Sequence, residues 1–276
     1  MKRKLFLAFS LFMLGMFAGI LFQRQISIWK VKTILYDLAP LSWKREHTPI
    51  DSLPKERLMV ALVFGQSNSA NFGEGSIRSK KGVYNFYQNE IYLAEDPMLG
   101  ADGKGASTWP RLGDLLINSK LYDNVVFASI GISASSISRW QPNGDLHASL
   151  LSTLQLLKQN NLTVTHLLWH QGESDAVIHT SKHDYQQSFK EMLKSIRKQK
   201  IMAPIYISIA SRYNEHPKNN TIRKAQFELV QQNHSILLGP DSDQLGDNFR
   251  RDGTHFNSAG LDRLAQLWFN QLAITP

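Results

Sequence analysis

The apolar run at residues 58–64 stops at Gly65, Gln66, Ser67 and Asn68, and this boundary narrows the choice of fold more than any other stretch. A short, continuous run rich in branched side chains suits a strand buried on both faces, as in a parallel sheet. Glycine lets the chain turn sharply where that strand ends, and open α/β folds place their sites at the carboxyl ends of such strands. Taken alone, the four residues also read as an ordinary turn.

The same pattern recurs along the chain. Apolar runs at 124–130, 165–170 and 204–210 alternate with helical periodicity at 146–158, 183–198, 222–232 and 258–272. This predicts an α/β protein, a three-layer α/β/α sandwich around a mainly parallel five-stranded sheet. A weaker strand is expected within 82–93. The Gly- and Asp-rich residues 96–108 read as a long surface loop near the site.

The chain has 276 residues and a net charge of +8, but that charge is uneven. Residues 1–50 carry eight Lys or Arg against two acids, leaving 23 basic and 21 acidic residues for the rest. The nearly neutral body does not indicate a nucleic-acid partner. There is no cysteine, which excludes disulfides, thiol nucleophiles and cysteine metal sites. Lys2, Arg3 and Lys4 precede an uncharged stretch, 5–22, that would span about 27 Å as a helix. No pair of small residues marks a cleavage site, so residues 1–22 are expected to be a retained transmembrane signal anchor. The leading basic residues would stay in the cytoplasm, putting the body on the periplasmic or extracellular side of a single-pass membrane protein. Residues 23–55 then form a juxtamembrane linker, and 56–276 the folded domain.

Three further stretches carry chemistry. Asp252, Gly253, Thr254 and His255 precede the last helix. A histidine that activates a hydroxyl needs its other ring nitrogen fixed, usually by a carboxylate, and a tight turn with glycine makes that contact easy. A surface loop explains the same spacing. The strand 165–170 runs into Gln171, Gly172, Glu173, Ser174 and Asp175. A side-chain amide at Gln171 can donate to a developing oxyanion. Glu173 and Asp175 lack the convergent histidines and carboxylates of a catalytic metal site, so no metal is expected. His170 reads as structural. In residues 130–140, small side chains let backbone N–H groups approach a substrate oxygen, and a Ser-rich turn is the plainer reading.

Together these blocks resemble the SGNH hydrolase superfamily, in particular its sialate O-acetylesterase-like branch, which includes acetyl xylan esterases. The branch has G-Q-S-N, G-G-T-x-I-x-x-W, W-x-Q-G-E-S and D-G-x-H blocks. Here they stand in that order at 65–68, 133–140, 169–174 and 252–255, and 222–226 is similar to its R-x-A-Q segment. The resemblance spans 58–272. It implies an SGNH (flavodoxin-like) sandwich and a serine esterase that removes O-acetyl groups from a carbohydrate and requires no metal or organic cofactor. Ser67 would be the nucleophile, His255 the base and then acid, and Asp252 the residue orienting His255. The oxyanion hole would comprise the Ser67 N–H, a small residue of the second block (Ala134) and the Gln171 amide. The sequence departs from the family where its paired glycines align with Ser133 and Ala134. Glu173 matches a family position and is expected to structure its loop or the substrate site. Alternatives are a lipid or thioester esterase of the same fold, a polysaccharide O-acetyltransferase, and a non-catalytic glycan-binding module. The last predicts a broken triad, and all three residues are present.

Overall fold

The computed structural model describes residues 45–80, 82–214 and 218–274. The expected anchor at 5–22 lies outside them, as does the linker up to residue 44. Among the described residues no helix is long and apolar enough to cross a membrane.

The run that begins at Leu58 forms β2 (Leu58–Gly65), and its last seven residues are buried. It pairs in parallel with β5 (Asn124–Ser129) on one side and β6 (His166–His170) on the other. Beyond β6 lie β7 (Ile205–Ile209) and β8 (Ile236–Asp241), both parallel; beyond β5 lies β3 (Val83–Tyr87), also parallel. The stretch 82–93 supplies a hairpin, since β4 (Glu90–Leu93) folds back antiparallel on β3. A two-residue strand, β1 (His47–Thr48), covers the outer edge of β4. Among the described residues the order is β1-β4-β3-β5-β2-β6-β7-β8, with six strands joined by parallel pairing and β4 and β1 added by antiparallel pairing. The expected five have become eight. His47 and Thr48 of the predicted linker therefore belong to the sheet. β8 evaded the sequence reading because Gly239 and Pro240 interrupt its apolar run. An edge strand tolerates proline.

Helices α1 (Trp109–Asn118) and α6 (Ser258–Ile274) cover one face. They meet through Trp109 and Trp268, whose rings lie 5.7 Å apart. Met59, Ala61 and Val63 of β2 point into this layer with Val125, Phe127 and Leu168. Alternation sends Phe64 the other way, against Trp140 and Trp169, and Trp169 meets Phe189 of α4 (Lys182–Lys198). Also in sequence order are α2 (His147–Gln159), the short α3 (Glu173–Val177) and α5 (Asn220–Gln232). Burying both faces of β2 is why its sequence shows no polar alternation.

Residues 96–108 do not form the expected surface loop. Met98, Leu99, Ala101 and Ala106 are fully buried. The backbone can be enclosed because side chains take the part of strand partners. Asn71 donates to the carbonyls of Met98 and Ala101 and accepts from Met98 N–H. Asn85 does the same for Leu99, and Asp96 Oδ1 accepts from Ser107 N–H. Buried backbone groups need such partners.

The chain leaves β2 toward β3, and after β5 it crosses β2 to β6. That reversal falls at the carboxyl end of β2, the usual position for a ligand in such sheets.

Candidate active site

Gly65 ends β2 with φ of +135°. A Cβ there would lie 2.1 Å from the carbonyl oxygen of His170, so glycine alone lets β2 and β6 approach so closely. The next residues, Ser67–Ser69, form one 3-10 turn. Ser67 is 5 % exposed, and its hydroxyl has no hydrogen-bond partner among the described residues. Other serines of the cluster are placed differently. Ser69 and Ser135 are fully enclosed, and the Ser133 hydroxyl donates to Asp102.

The turn at 252–255 brings its ends together, with Gly253 at φ +77°. Asp252 Oδ1 accepts the N–H groups of Thr254 (3.0 Å) and His255 (2.7 Å), and Oδ2 lies 2.7 Å from His255 Nδ1. A carboxylate at Nδ1 keeps the proton on that nitrogen and leaves Nε2 as the acceptor. Partial burial pushes the Asp252 carboxyl up. The hydrogen bonds from the His255 ring and the two N–H groups outweigh it and hold the group below its ordinary value.

Ser67 and His255 stand on adjoining loops, joined by a residue the sequence reading gave no role. Asn68 Nδ2 donates to Glu173 Oε1 at 2.6 Å and lies 3.3 Å from Thr254 O. One amide thus ties the residue after Ser67 to the residue before His255 and to the β6 loop. Phe72 adds a second tie, its ring stacked on that of His255 at 5.3 Å. A buried asparagine inside a motif is a signal for such a bridge. Nothing in sequence marks Phe72.

The amide of Gln171, expected as an oxyanion donor, points into the protein. It is fully enclosed, and Nε2 points at Ser135 O (3.0 Å), Gln66 Oε1 (3.3 Å) and Asp175 Oδ2 (2.5 Å). Its Oε1 accepts from Tyr185 O–H at 3.1 Å. Turning the amide over would set its oxygen against three acceptors, so the network fixes the orientation. Its donors are engaged with protein atoms, and it braces the second block from behind. Asp175 completes the brace, accepting from Ile137 N–H at 2.8 Å and from Thr180 O–H at 2.7 Å.

In the second block, Ser133 N–H donates to Asp102 at 3.2 Å. Ala134 is exposed at φ +51°, the left-handed region that favours glycine. Among the described residues no acceptor takes the backbone N–H of Ala134 or of Ser67.

Behind Asn68 lies a sealed polar layer. Glu173 and His170 are buried, 4.0 Å apart, and both ring nitrogens of His170 lack a hydrogen-bond partner. They do not form an ion pair. Burial drives His170 down to about 3, helped by the charge of Arg250, and keeps it neutral. Burial also pushes Glu173 up to about 7, against the hydrogen bond from Asn68. Buried Arg250 donates to the carbonyls of Leu245, Ser242 and Thr254 and lies over the Phe256 ring at 4.4 Å. It fixes Thr254 O, the carbonyl that Asn68 approaches. Among the described residues no cluster of His, Asp and Glu is arranged to hold a metal.

The family model for carbohydrate esterase, sialic acid-specific acetylesterase, matches residues 57–273. The chain belongs to this family. No curated protein matches the chain. Among solved structures, a protein from Arabidopsis thaliana superposes with a TM-score of 0.66 at 16 % identity, over 79 % of this chain and 98 % of that one. The crystal structure of NanS gives 0.59 at 15 %, over 80 % and 98 %. The family 3 carbohydrate esterase of Clostridium thermocellum gives 0.52 at 14 %, over 79 % and 96 %. At such identities these likenesses speak for the fold, an SGNH-type sandwich. This carbohydrate esterase therefore carries all its motif blocks at the carboxyl edge of one sheet.

Proposed function

We propose that this carbohydrate esterase is a serine hydrolase that removes O-acetyl groups from a sugar through an acyl-enzyme, with Ser67, His255 and Asp252 as its triad. The sugar its family description names, a sialic acid, is the proposed substrate. The observation that carries the reading is the Asp252–His255 hydrogen bond held, through Asn68, on the loop beside Ser67. In this mechanism Ser67 Oγ attacks the acetyl carbonyl as its proton passes to His255 Nε2. Asp252 stabilises the imidazolium. His255 then protonates the departing sugar oxygen, leaving acetyl-Ser67. Water gives a proton to His255 and attacks, and acetate leaves with Ser67 Oγ reprotonated. The oxyanion donors in this reading are the free N–H groups of Ser67 and Ala134. Gln171 serves by positioning Ser135 and Gln66.

The test is a fluorophosphonate probe with peptide mapping, alongside acetate release from O-acetylated sialic acid and acetylated xylan. Label is expected on Ser67. Ser67→Ala and His255→Ala should each lower kcat by several orders of magnitude, and the double variant scarcely further, because the residues act as a unit. Label on another serine, or substantial activity in Ser67→Ala, would falsify the assignment. Product analysis with an added sugar acceptor separates hydrolysis from transfer. A preference for nitrophenyl octanoate over acetate would favour the lipid-esterase alternative.

The same reading keeps residues 5–22 as an anchor, with the esterase outside the cytoplasmic membrane. Protease added to spheroplasts should digest the domain. A mature N-terminus beyond Phe22 would sink the anchor.

A further inference from the structure

We propose that Asp102 is a positioning residue for the oxyanion hole. By taking both donors of Ser133, it sets Ala134 as the residue of the second block whose N–H meets the oxyanion. This rests on the esterase reading and adds to it a residue from the enclosed 96–108 segment, which holds none of the motif blocks.

The second block has to be held in place, because Ser133 and Ala134 stand where the family has paired glycines. Ala134 adopts φ +51°, a conformation that a residue with a side chain keeps only where its surroundings over-determine it. The flanks of this pair are fixed from inside the domain. Ile132 N–H donates to Gly65 O at 2.9 Å, and Ser135 O–H donates to the same carbonyl at 3.3 Å. Trp140 Nε1–H donates to Ser135 Oγ at 3.1 Å. Ser133 has no such bond to the sheet among the described residues. It gives its N–H (3.2 Å) and its hydroxyl to Asp102 Oδ2 instead.

Asp102 can act as an anchor because it is itself fixed on three sides. Its N–H donates to Gly131 O at 2.9 Å, and its carbonyl accepts from Asn71 N–H at 2.9 Å. Its Oδ1 accepts from Gly103 N–H at 2.7 Å. Asn71 follows closely on the turn of Ser67–Ser69, so one residue joins the nucleophile's turn to the second block. Among the described residues no basic side chain pairs with Asp102, and its carboxylate is committed to these backbone and hydroxyl donors. Hydrogen bonds to a carboxylate are the strong ones.

The consequence is a choice between two N–H groups. That of Ser133 is turned onto a carboxylate, which would repel an oxyanion. That of Ala134 meets no acceptor among the described residues. A donor displaced by about 1 Å from the developing charge can cost roughly 10²-fold in rate. A glycine at 133 would have no hydroxyl to give Asp102, so this tie is available because the chain departs from the family here.

The experiment compares the full-length parent with Asp102→Ala, Ser133→Ala and the double variant, each checked for folding by a melting curve. With nitrophenyl acetate, Asp102→Ala should lower kcat at least tenfold and leave KM within threefold, because the oxyanion forms only in the transition state. The rate of fluorophosphonate labelling at Ser67 should fall in step. Ser133→Ala keeps the N–H bond and loses the hydroxyl, so its loss should be smaller. The double variant should match Asp102→Ala within twofold, since the two residues share one bond. Hydrogen exchange of residues 131–136 should quicken at least tenfold in Asp102→Ala, while that of 252–257 stays as in the parent. A folded Asp102→Ala with kcat within twofold of the parent, or with a loss confined to KM, overturns the proposal and leaves the esterase reading standing. If Asp102→Ala does not fold, Ser133→Ala decides, and unchanged kcat with unchanged exchange overturns the proposal. A parent that neither takes the probe nor releases acetate overturns the esterase reading and the oxyanion role with it. Quickened exchange in Asp102→Ala would then still show the tie between Asp102 and the second block.

Discussion

Ala134 occupies a backbone conformation that a side chain resists. At φ +51° its Cβ crowds the carbonyl oxygen, a cost of about 1–2 kcal/mol for an L-residue, offset by the entropy that glycine would lose. Ala134→Gly should therefore be neutral or more stable by up to about 1 kcal/mol, whereas Ala134→Val should lose more than about 1 kcal/mol. Denaturant melts of the two variants check this. Glu173 makes a pH-dependent prediction. Burial raises its folded-state value from 4.5 to about 7. Between those values the folded state holds a proton that the unfolded state has lost, so this group's contribution is full below pH 4.5 and falls away up to about 7. Glu173→Gln keeps an oxygen to accept from Asn68 and cannot ionise. Relative to the parent it should gain up to about 3 kcal/mol between pH 4.5 and 8. Parallel slopes for parent and variant would contradict the buried-acid account.

At the scale of elements, the site depends on how closely β2 and β6 end. Gly65→Ala would press a methyl against His170 O, 2.1 Å from an ideal Cβ. The strands must part or Gly65 must abandon its φ. Either change moves Gln66, whose Oε1 accepts the N–H groups of Gly172 and Ser174 at 3.3 and 3.0 Å. The expected loss is about 3 kcal/mol or more, read as a lower denaturant midpoint. A fully stable and active Gly65→Ala would show that this approach is not required. The buried 96–108 segment acts at the same scale, since Asp102 holds Ser133 and so sets where the second block stands.

For the whole molecule, two buried histidines govern behaviour in acid. Burial lowers His166 to about 4 and His170 to about 3, from an ordinary 6.5. Below pH 6.5 the unfolded chain takes up protons that the folded one refuses. The stability these groups contribute is complete above 6.5 and is lost as pH falls through 4 and 3. Between 6.5 and 4.5 Glu173 works in the opposite direction. Unfolding free energy should therefore fall most steeply below about pH 4.5, where that compensation has ended. Urea titrations from pH 3.5 to 8 test the shape. A steepest loss between pH 6.5 and 5 would mean that the histidines are not held neutral.

Local pattern alone was enough for the α/β class, for β2, β5, β6 and β7, and for α2, α4, α5 and α6, because burial on both faces or along one stripe leaves its period in the residues. The Asp252–His255 contact was equally legible, since three residues and a glycine confine both partners to one turn. Other features required the folded chain. The edge strands β1 and β8 exist because neighbours offer them hydrogen bonds, and no strong period marks them. Residues 96–108 read as exposed because their partners, Asn71 and Asn85, are distant in sequence. Gln171 sits where its motif suggests, but Ser135, Gln66 and Asp175 decided which way its amide faces. The bridge from Ser67 to His255 through Asn68 spans 186 residues of sequence, from Asn68 to Thr254. Only tertiary packing can close a contact of that separation, because nothing local constrains either end.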